Sequence, residues 1–256
     1  MALDPPIIEL ALSLNFVPVT GLTVRDMVAV YEDGFAQDYP TFQQVQRVDA
    51  MVVGPPKTPV TNIQMMTGLE MPRLWFVSSD TKDLVQLQDD RIVLNWRRLG
   101  PQEGAHEYPG YEVSRHKFRR CFETAWEALN KRGINGPTLV SGELAYINLI
   151  PLAVESRTRR IAEVLAFYRQ SDPPVAVAGF QAMWMEEVEA GWIHLTAGVG
   201  SRPDNSPAIS LTISGRFEIA ESNLDEALNR FDIMHNNIHK TFRRVVTQPI
   251  SEAAYA

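Results

Sequence analysis

Ile8, Leu10, Leu12, Leu14 and Phe16 alternate with Glu9, Ala11, Ser13 and Asn15. A period of two sustained over that stretch predicts a strand with one face on a core. Thr23 stands three residues before Asp26, a capping pair, and Val24, Met27, Val28, Tyr31 and Phe35 follow at helical spacing, which predicts a helix over 23–37. The stretch 54–61, rich in Gly and Pro, reads as a loop. Leu74 to Val77 is a short apolar run closed by Ser78-Ser79-Asp80. Leu84–Gln88 and Arg91–Arg97 read as two strands joined at Asp89-Asp90, with Ile92, Leu94 and Trp96 on one face against Arg91, Asn95 and Arg97. Three short strands with tight turns predict an antiparallel meander. A Gly/Pro loop over Gly100–Gly110 precedes a helix marked by Phe118, Phe122, Ala125, Trp126 and Leu129, which stops at Lys131-Arg132-Gly133.

Leu144–Ile150 returns to strand and is closed by Pro151, and Ile161, Val164, Leu165 and Tyr168 predict a helix over 156–169. The charge-free run Pro173–Met185 has 13 residues, too few for a membrane span, and reads as a buried strand. Strands are predicted over 175–188 and 191–199, hinged at Ala190-Gly191, and over Ile209–Ile219. A last helix, capped by Ser222 or Asn223, runs to about Val246. Strands grouped together and then followed by helices indicate the α+β class: antiparallel sheets packed against long amphipathic helices. Residues 74–132 and 175–246 share the order of three strands and a helix. This predicts two similar strand–helix lobes, an N-terminal one over 1–150 and a C-terminal one over 151–256, joined in one compact body.

Charge and cysteine count narrow the function classes. Twenty-four Lys and Arg against 31 Asp and Glu give a formal net charge of −7, which argues against a dedicated nucleic-acid binder. A single cysteine excludes a disulfide framework and any multi-cysteine metal site. The N-terminus MALDPPIIEL has no basic segment ahead of an apolar one, so no secretory signal is expected; the protein is expected to be cytoplasmic, with no membrane partner.

Candidate chemistry is sparse. His235 and His239 are four apart on the last helix, a metal-ligand spacing, but Asn236 stands where a metalloprotease motif has Glu. His235 also falls inside the apolar stripe of Leu224, Phe231, Ile238 and Phe242, so a core histidine bonded to a strand is expected rather than a metal ligand. Asp80, Asp83, Asp89 and Asp90 could chelate a divalent cation if their turns converged, but Asp favours turns for its local backbone bonds. Glu186, Glu187 and Glu189 read as a solvated strand end. Gly198-Val199-Gly200-Ser201 reads as a Gly-rich loop without the helix and Lys a phosphate loop needs. Cys121 falls on a helix beside Phe122 and is expected to be buried, and no nucleophile elbow is present. No catalytic residue, cofactor or metal site is assigned. Two basic clusters remain: Arg115, Lys117, Arg119 and Arg120, and Lys240, Arg243 and Arg244.

The stretch PRLWFVSSDTKDLVQLQDDRIVLNWRR over 72–98 resembles a sporadically distributed, functionally uncharacterised bacterial family of about this length. Its features include a Ser-Ser-Asp turn and a Gln-Asp-Asp-Arg hairpin running into Asn-Trp-Arg. Tyr108-Pro-x-Tyr111-Glu112, Tyr146-Ile147-Asn148 and the Leu-Asp…His-x-x-Ile…Phe helix at 224–242 extend the resemblance over most of the chain. The resemblance implies no catalytic residue or cofactor. Its patchy distribution is compatible with a mobile-element, defence or toxin-neutralising context. It singles out Gln88, Asp89, Asp90, Arg91, Asn95, Trp96, Arg97, Tyr146, Asn148 and His235 as a candidate binding surface. The first expectation is a non-enzymatic protein that contacts another protein. The second is a small-ligand or metal-assisted enzyme with a cleft joining the 88–97 hairpin to His235. The third is nucleic-acid binding through Arg115–Arg120. The sequence leaves the homo-oligomeric state open.

Overall fold

The computed structural model describes residues 6–55, 71–98, 108–154, 157–158, 160–168, 179–202 and 204–247. The first half runs β1 (Ile7–Phe16), α1 (Val24–Gly34), β2 (Thr41–Val45), β3 (Arg73–Val77), β4 (Asp83–Gln88), β5 (Arg91–Arg97) and α2 (Tyr111–Asn130). The second runs β6 (Leu139–Pro151), β7 (Ala153–Val154), β8 (Arg157–Thr158), a 3-10 turn at Ile161–Glu163, β9 (Gln181–Val188), β10 (Gly191–Ser201), β11 (Pro207–Glu218) and α3 (Leu224–Val245). Nine strands form one sheet in the order β2-β3-β4-β5-β1-β6-β11-β10-β9, every neighbour antiparallel; β7 and β8 pair separately. The class is α+β with an antiparallel sheet.

Alternation in β1 decides which side is the core. Leu10, Leu12 and Leu14 lie opposite Trp96, Leu94 and Ile92 of β5 and opposite Tyr146, Leu144 and Gly142 of β6. Directly opposed residues share a face, so this register carries one apolar face through Val85 and Leu87 to Phe76, and through Ile213 and Leu211 to Leu195. All three helices cover this face. Met27 and Val30 of α1, Phe118 and Phe122 of α2, and Phe231, Met234 and Ile238 of α3 join the same buried cluster. Ion pairs fix the layer from the rim: Lys117 of α2 reaches Asp83, which faces the helices beside Trp96, and Arg244 of α3 reaches Glu186, opposite Ile193. Close approach of α3 requires Gly215 in β11, where a Cβ would meet Met234 at 2.8 Å.

Helix ends follow local chemistry. Thr23 and Asp26 form a reciprocal capping box on α1. Asn223, not Ser222, caps α3 by accepting from the amides of Asp225 and Glu226. Ser222 instead bonds to the Leu139 amide and the Pro137 carbonyl, tying the start of α3 to the start of β6.

Several expectations change. Over 156–169 the described residues contain the short strand β8 and the turn Ile161–Glu163 in place of a helix. Val164 and Leu165 are buried, but their backbone pairs with the end of α3: Leu165 bridges Val246, Ala166 donates to the Val245 carbonyl, and Thr247 donates to that of Val164. Apolar residues at helical spacing thus anchor a segment that makes only about one turn of local bonds, Val164 and Leu165 donating to Ile161, before its backbone pairs with the end of α3. The predicted buried strand at Pro173–Met185 lies outside the described residues up to 178, and its remainder belongs to β9, a sheet edge where Met183 and Met185 are exposed. Gly198–Ser201 is no loop; it is the end of β10, paired with β11. Helix α1 stops at Gly34, and β6 is longer at both ends than the Leu144–Ile150 pattern. Most of the predicted loops at 54–61 and Gly100–Gly110 lies outside the described residues. Among the described residues no helix is long and apolar enough to cross a membrane.

Candidate functional site

The sheet face away from the helices carries a network of polar side chains that order one another, set among the buried apolar residues Val77, Leu84 and Val93. Arg73 of β3 donates to the Gln86 Oε1 of β4 at 2.8 Å, Gln86 Nε2 to Asn95 Oδ1 of β5 at 2.6 Å, and Asn95 Nδ2 to Glu9 Oε1 of β1 at 2.5 Å. Trp75 also donates to Gln86 Oε1. Every bond in this chain points from the guanidinium towards the carboxylate, an arrangement in which successive dipoles reinforce one another. Burial pushes the Glu9 carboxyl above its ordinary range, while the Asn95 bond and the Arg97 charge oppose that shift. Burial and the neighbouring Arg91 charge lower the pKa of Arg73.

Across this face runs an extended strap, residues 47–54. The Gln88 amide, 1% exposed, pairs with both the N–H and the C=O of Val48. Arg91 donates to the Asp49 carbonyl at 2.8 Å, Arg216 to that of Val52 at 2.8 Å, and His194 Nε2 to that of Val53 at 2.6 Å. A carbonyl only accepts, so His194 carries its proton on Nε2. Burial and the nearby Arg216 charge hold the His194 pKa below the ordinary value, against the raising effect of the Val53 bond. Arg47 opens the strap in a double ion pair with Asp89 and Asp90 at the β4–β5 turn. Gly54 closes it against Trp192 of β10, where a Cβ would meet the indole Nε1 at 2.8 Å. From β4 to β10 is five strand spacings, about 24 Å. Seven residues of extended chain reach about the same distance. The strap therefore spans the sheet from β4 to β10, with the long side chains of Gln88, Arg91, Arg216 and His194 reaching to it.

On the helix side lies a second cluster. Tyr146 hydroxyl meets His235 Nδ1 at 2.8 Å and Tyr108 hydroxyl at 3.3 Å. Tyr111 stacks on His235 at 4.0 Å and donates its hydroxyl to Asp232, which also pairs with Arg115. Burial, reinforced by the adjacent His239, brings His235 down to about 4, and burial with the Arg243 charge brings His239 down to about 4, so both are neutral near pH 7. Burial pushes the Tyr108 phenol up to about 12. These groups bridge α2 and α3 over β6. Among the described residues no group of three or more His, Cys, Asp or Glu is arranged to hold a metal ion.

The ten candidate surface residues divide between the two faces. Gln88, Asp89, Asp90, Arg91, Asn95 and Arg97 belong to the open face and its turn, and the first four of them touch the strap or Arg47. Trp96, Tyr146, Asn148 and His235 belong to the helix side, where Asn148 donates to the Leu211 carbonyl within the sheet. The sheet separates Gln88, Asp89, Asp90, Arg91, Asn95 and Arg97 from His235, whereas Trp96 of the same hairpin lies on the His235 side, its ring 5.4 Å from that of Tyr108, which bonds Tyr146. The acidic turn residues likewise do not converge: Asp80 accepts from Ser78 and the Lys82 amide, Asp83 pairs with Lys117, and Asp89 and Asp90 pair with Arg47. Of the basic cluster, Arg115, Lys117 and Arg119 are committed to Asp232, Asp83 and Asp225. Glu186 is not merely a solvated strand end, since it pairs with Arg244. Cys121 is buried, which pushes its thiol up to about 11.

Glu9, Arg47, Gln86, Arg216 and Glu143, which pairs with Arg216 at 2.7 Å, are polar-face residues that pattern reading did not single out, and His194 reads from sequence only as a strand residue of undecided face. The available signal was chemical: the outward positions of β1, β4 and β11 hold Ser, Asn, Gln and Arg, side chains suited to directed hydrogen bonds. Scans against protein-family models, curated proteins and solved structures find no match.

Proposed function

We propose that this is a binding protein that contacts another protein through the open face of its sheet. The observation that carries the reading is on β9. Met183 and Met185 point to the open face of an edge strand and are 70% and 44% exposed. Exposed edge strands are ready contact elements, and methionine adapts its shape to varied partners. Thr196 and His194 of β10 lie opposite the two methionines, and Thr212 and Ser214 of β11 lie beyond them, so an apolar border adjoins the polar track. We read the chain as two similar lobes under long amphipathic helices. In each, a strand (β1 or β6) pairs with the last strand of a following meander (β5 or β11), and this extends the contact face on both sides of the centre.

A photo-crosslinking residue at position 183, introduced in the native host, tests the reading. The expected result is a discrete crosslinked protein that is absent when the probe sits at the exposed helix position Val113 and is lost in the Met185→Lys background. Equal capture from 183 and 113, or no capture from 183, overturns it.

A further inference from the structure

We propose that residues 47–54 are a resident pseudo-ligand, and that the track beneath them binds an extended polypeptide of a partner that displaces them. The inference rests on the preceding reading and names the partner's chemistry and the form of regulation.

Between its ends the strap is held chiefly by its backbone, with one side-chain contact where the Met51 sulfur accepts from Asn15. Gln88, Arg91, Arg216 and His194 each take a strap carbonyl, and Gln88 also takes an amide. Such contacts recognise extended main chain, whatever side chains it carries. The strap meanwhile contributes little to the fold. None of its residues is in the buried core, and Val52 is 52% exposed. Lifting it uncovers polar groups that water or another backbone can satisfy, so its opening belongs to the low-cost, local kind. Two features give the track direction. Asp89 and Asp90 select a basic residue at one end, and the Trp192 indole excludes a side chain at the other. The preferred segment is therefore extended, begins with Arg or Lys, and has Gly seven residues later.

The test uses the full chain with residues 47–54 replaced by an equal length of Gly and Ser, and a fluorescent peptide spanning Gln46–Pro55. Tethering gives the resident strap an effective concentration in the millimolar range, so the replaced chain should bind the peptide at least about tenfold more tightly than the intact chain. Peptides carrying Arg47→Glu or Gly54→Val should each bind about tenfold more weakly. A replaced chain that melts cooperatively yet shows no saturable anisotropy change overturns the proposal; position-183 crosslinking would then still report on the broader protein-binding reading. If the replaced chain does not fold, hydrogen exchange on the intact chain decides. The Val48 amide should exchange about 100-fold faster than amides of β1, and equal protection would show the strap to be part of the global fold.

Discussion

Glu9 concentrates the chemistry of the open face in one side chain. Its carboxylate ends a chain of donors that begins at Arg73, but the same burial that aligns the chain penalises the charge. A carboxyl whose folded pKa is raised binds a proton that the unfolded chain has already released. Stability therefore falls as pH rises from the ordinary carboxylate value through the raised one. Glu9→Gln keeps an acceptor for Asn95 and removes the charge. Its Tm should exceed wild type by on the order of 1–2 °C at pH 7, with the difference vanishing by about pH 4, where Glu9 is itself neutral. Thermal melts of the two proteins across that range check this. A lower Tm for Glu9→Gln at pH 7 would mean that the Arg97 attraction outweighs burial. Asn95→Leu makes the complementary break, leaving Gln86 and Glu9 without their shared partner, at a cost of about 1–3 kcal/mol.

Elements with a strict period were legible, and those held by side-chain-to-backbone bonds were not. Ile8 to Phe16 and Ile209 to Ile219 alternate because one face of each strand lies in the apolar core; the structure returns β1 and β11 to within two residues, with a register shift that buries Ile7 where the pattern had placed Ile8. The hairpin at Asp89-Asp90 was equally plain. The strap left no periodic trace, because its carbonyls are taken by Gln88, Arg91, Arg216 and His194, residues far away in sequence. The segment around Val164 and Leu165 misled for the opposite reason: helical spacing survived where the backbone pairs with Val246. For the candidate surface, strand parity separates Asn95 from Trp96, and the structure keeps that split, whereas the resemblance grouped the two by adjacency. Glycine at 215 was invisible as a packing requirement until α3 was seen resting on it. Gly215→Ala should cost about 1–3 kcal/mol, because its Cβ would meet the Met234 side chain. Met234→Ala in the same chain should recover part of that loss, since it clears the contact; chemical denaturation of the single and double variants measures the coupling. Additive losses would place the strain elsewhere.

At the scale of the whole molecule, the expectation of lobes over 1–150 and 151–256 meets a sheet that crosses between them. β1 pairs along its length with β5 of its own half and with β6, which in turn pairs with β11. Leu12 lies at this junction, fully buried between Leu94 and Leu144. The helix layer repeats the join, since Asp232 and Asp225 of α3 hold Arg115 and Arg119 of α2. One contiguous buried cluster takes residues from both halves, so neither half can open its β1–β6 edge without exposing core that belongs to the other. Unfolding should then be a single transition in calorimetry, with calorimetric and van't Hoff enthalpies in agreement. Leu12→Ala should lower stability by about 2–5 kcal/mol and move that single peak down by about 5–15 °C without splitting it. Two resolved transitions, only one of them shifted by Leu12→Ala, would make the halves independent folding units and confine the effect of β1 to its own side of the sheet.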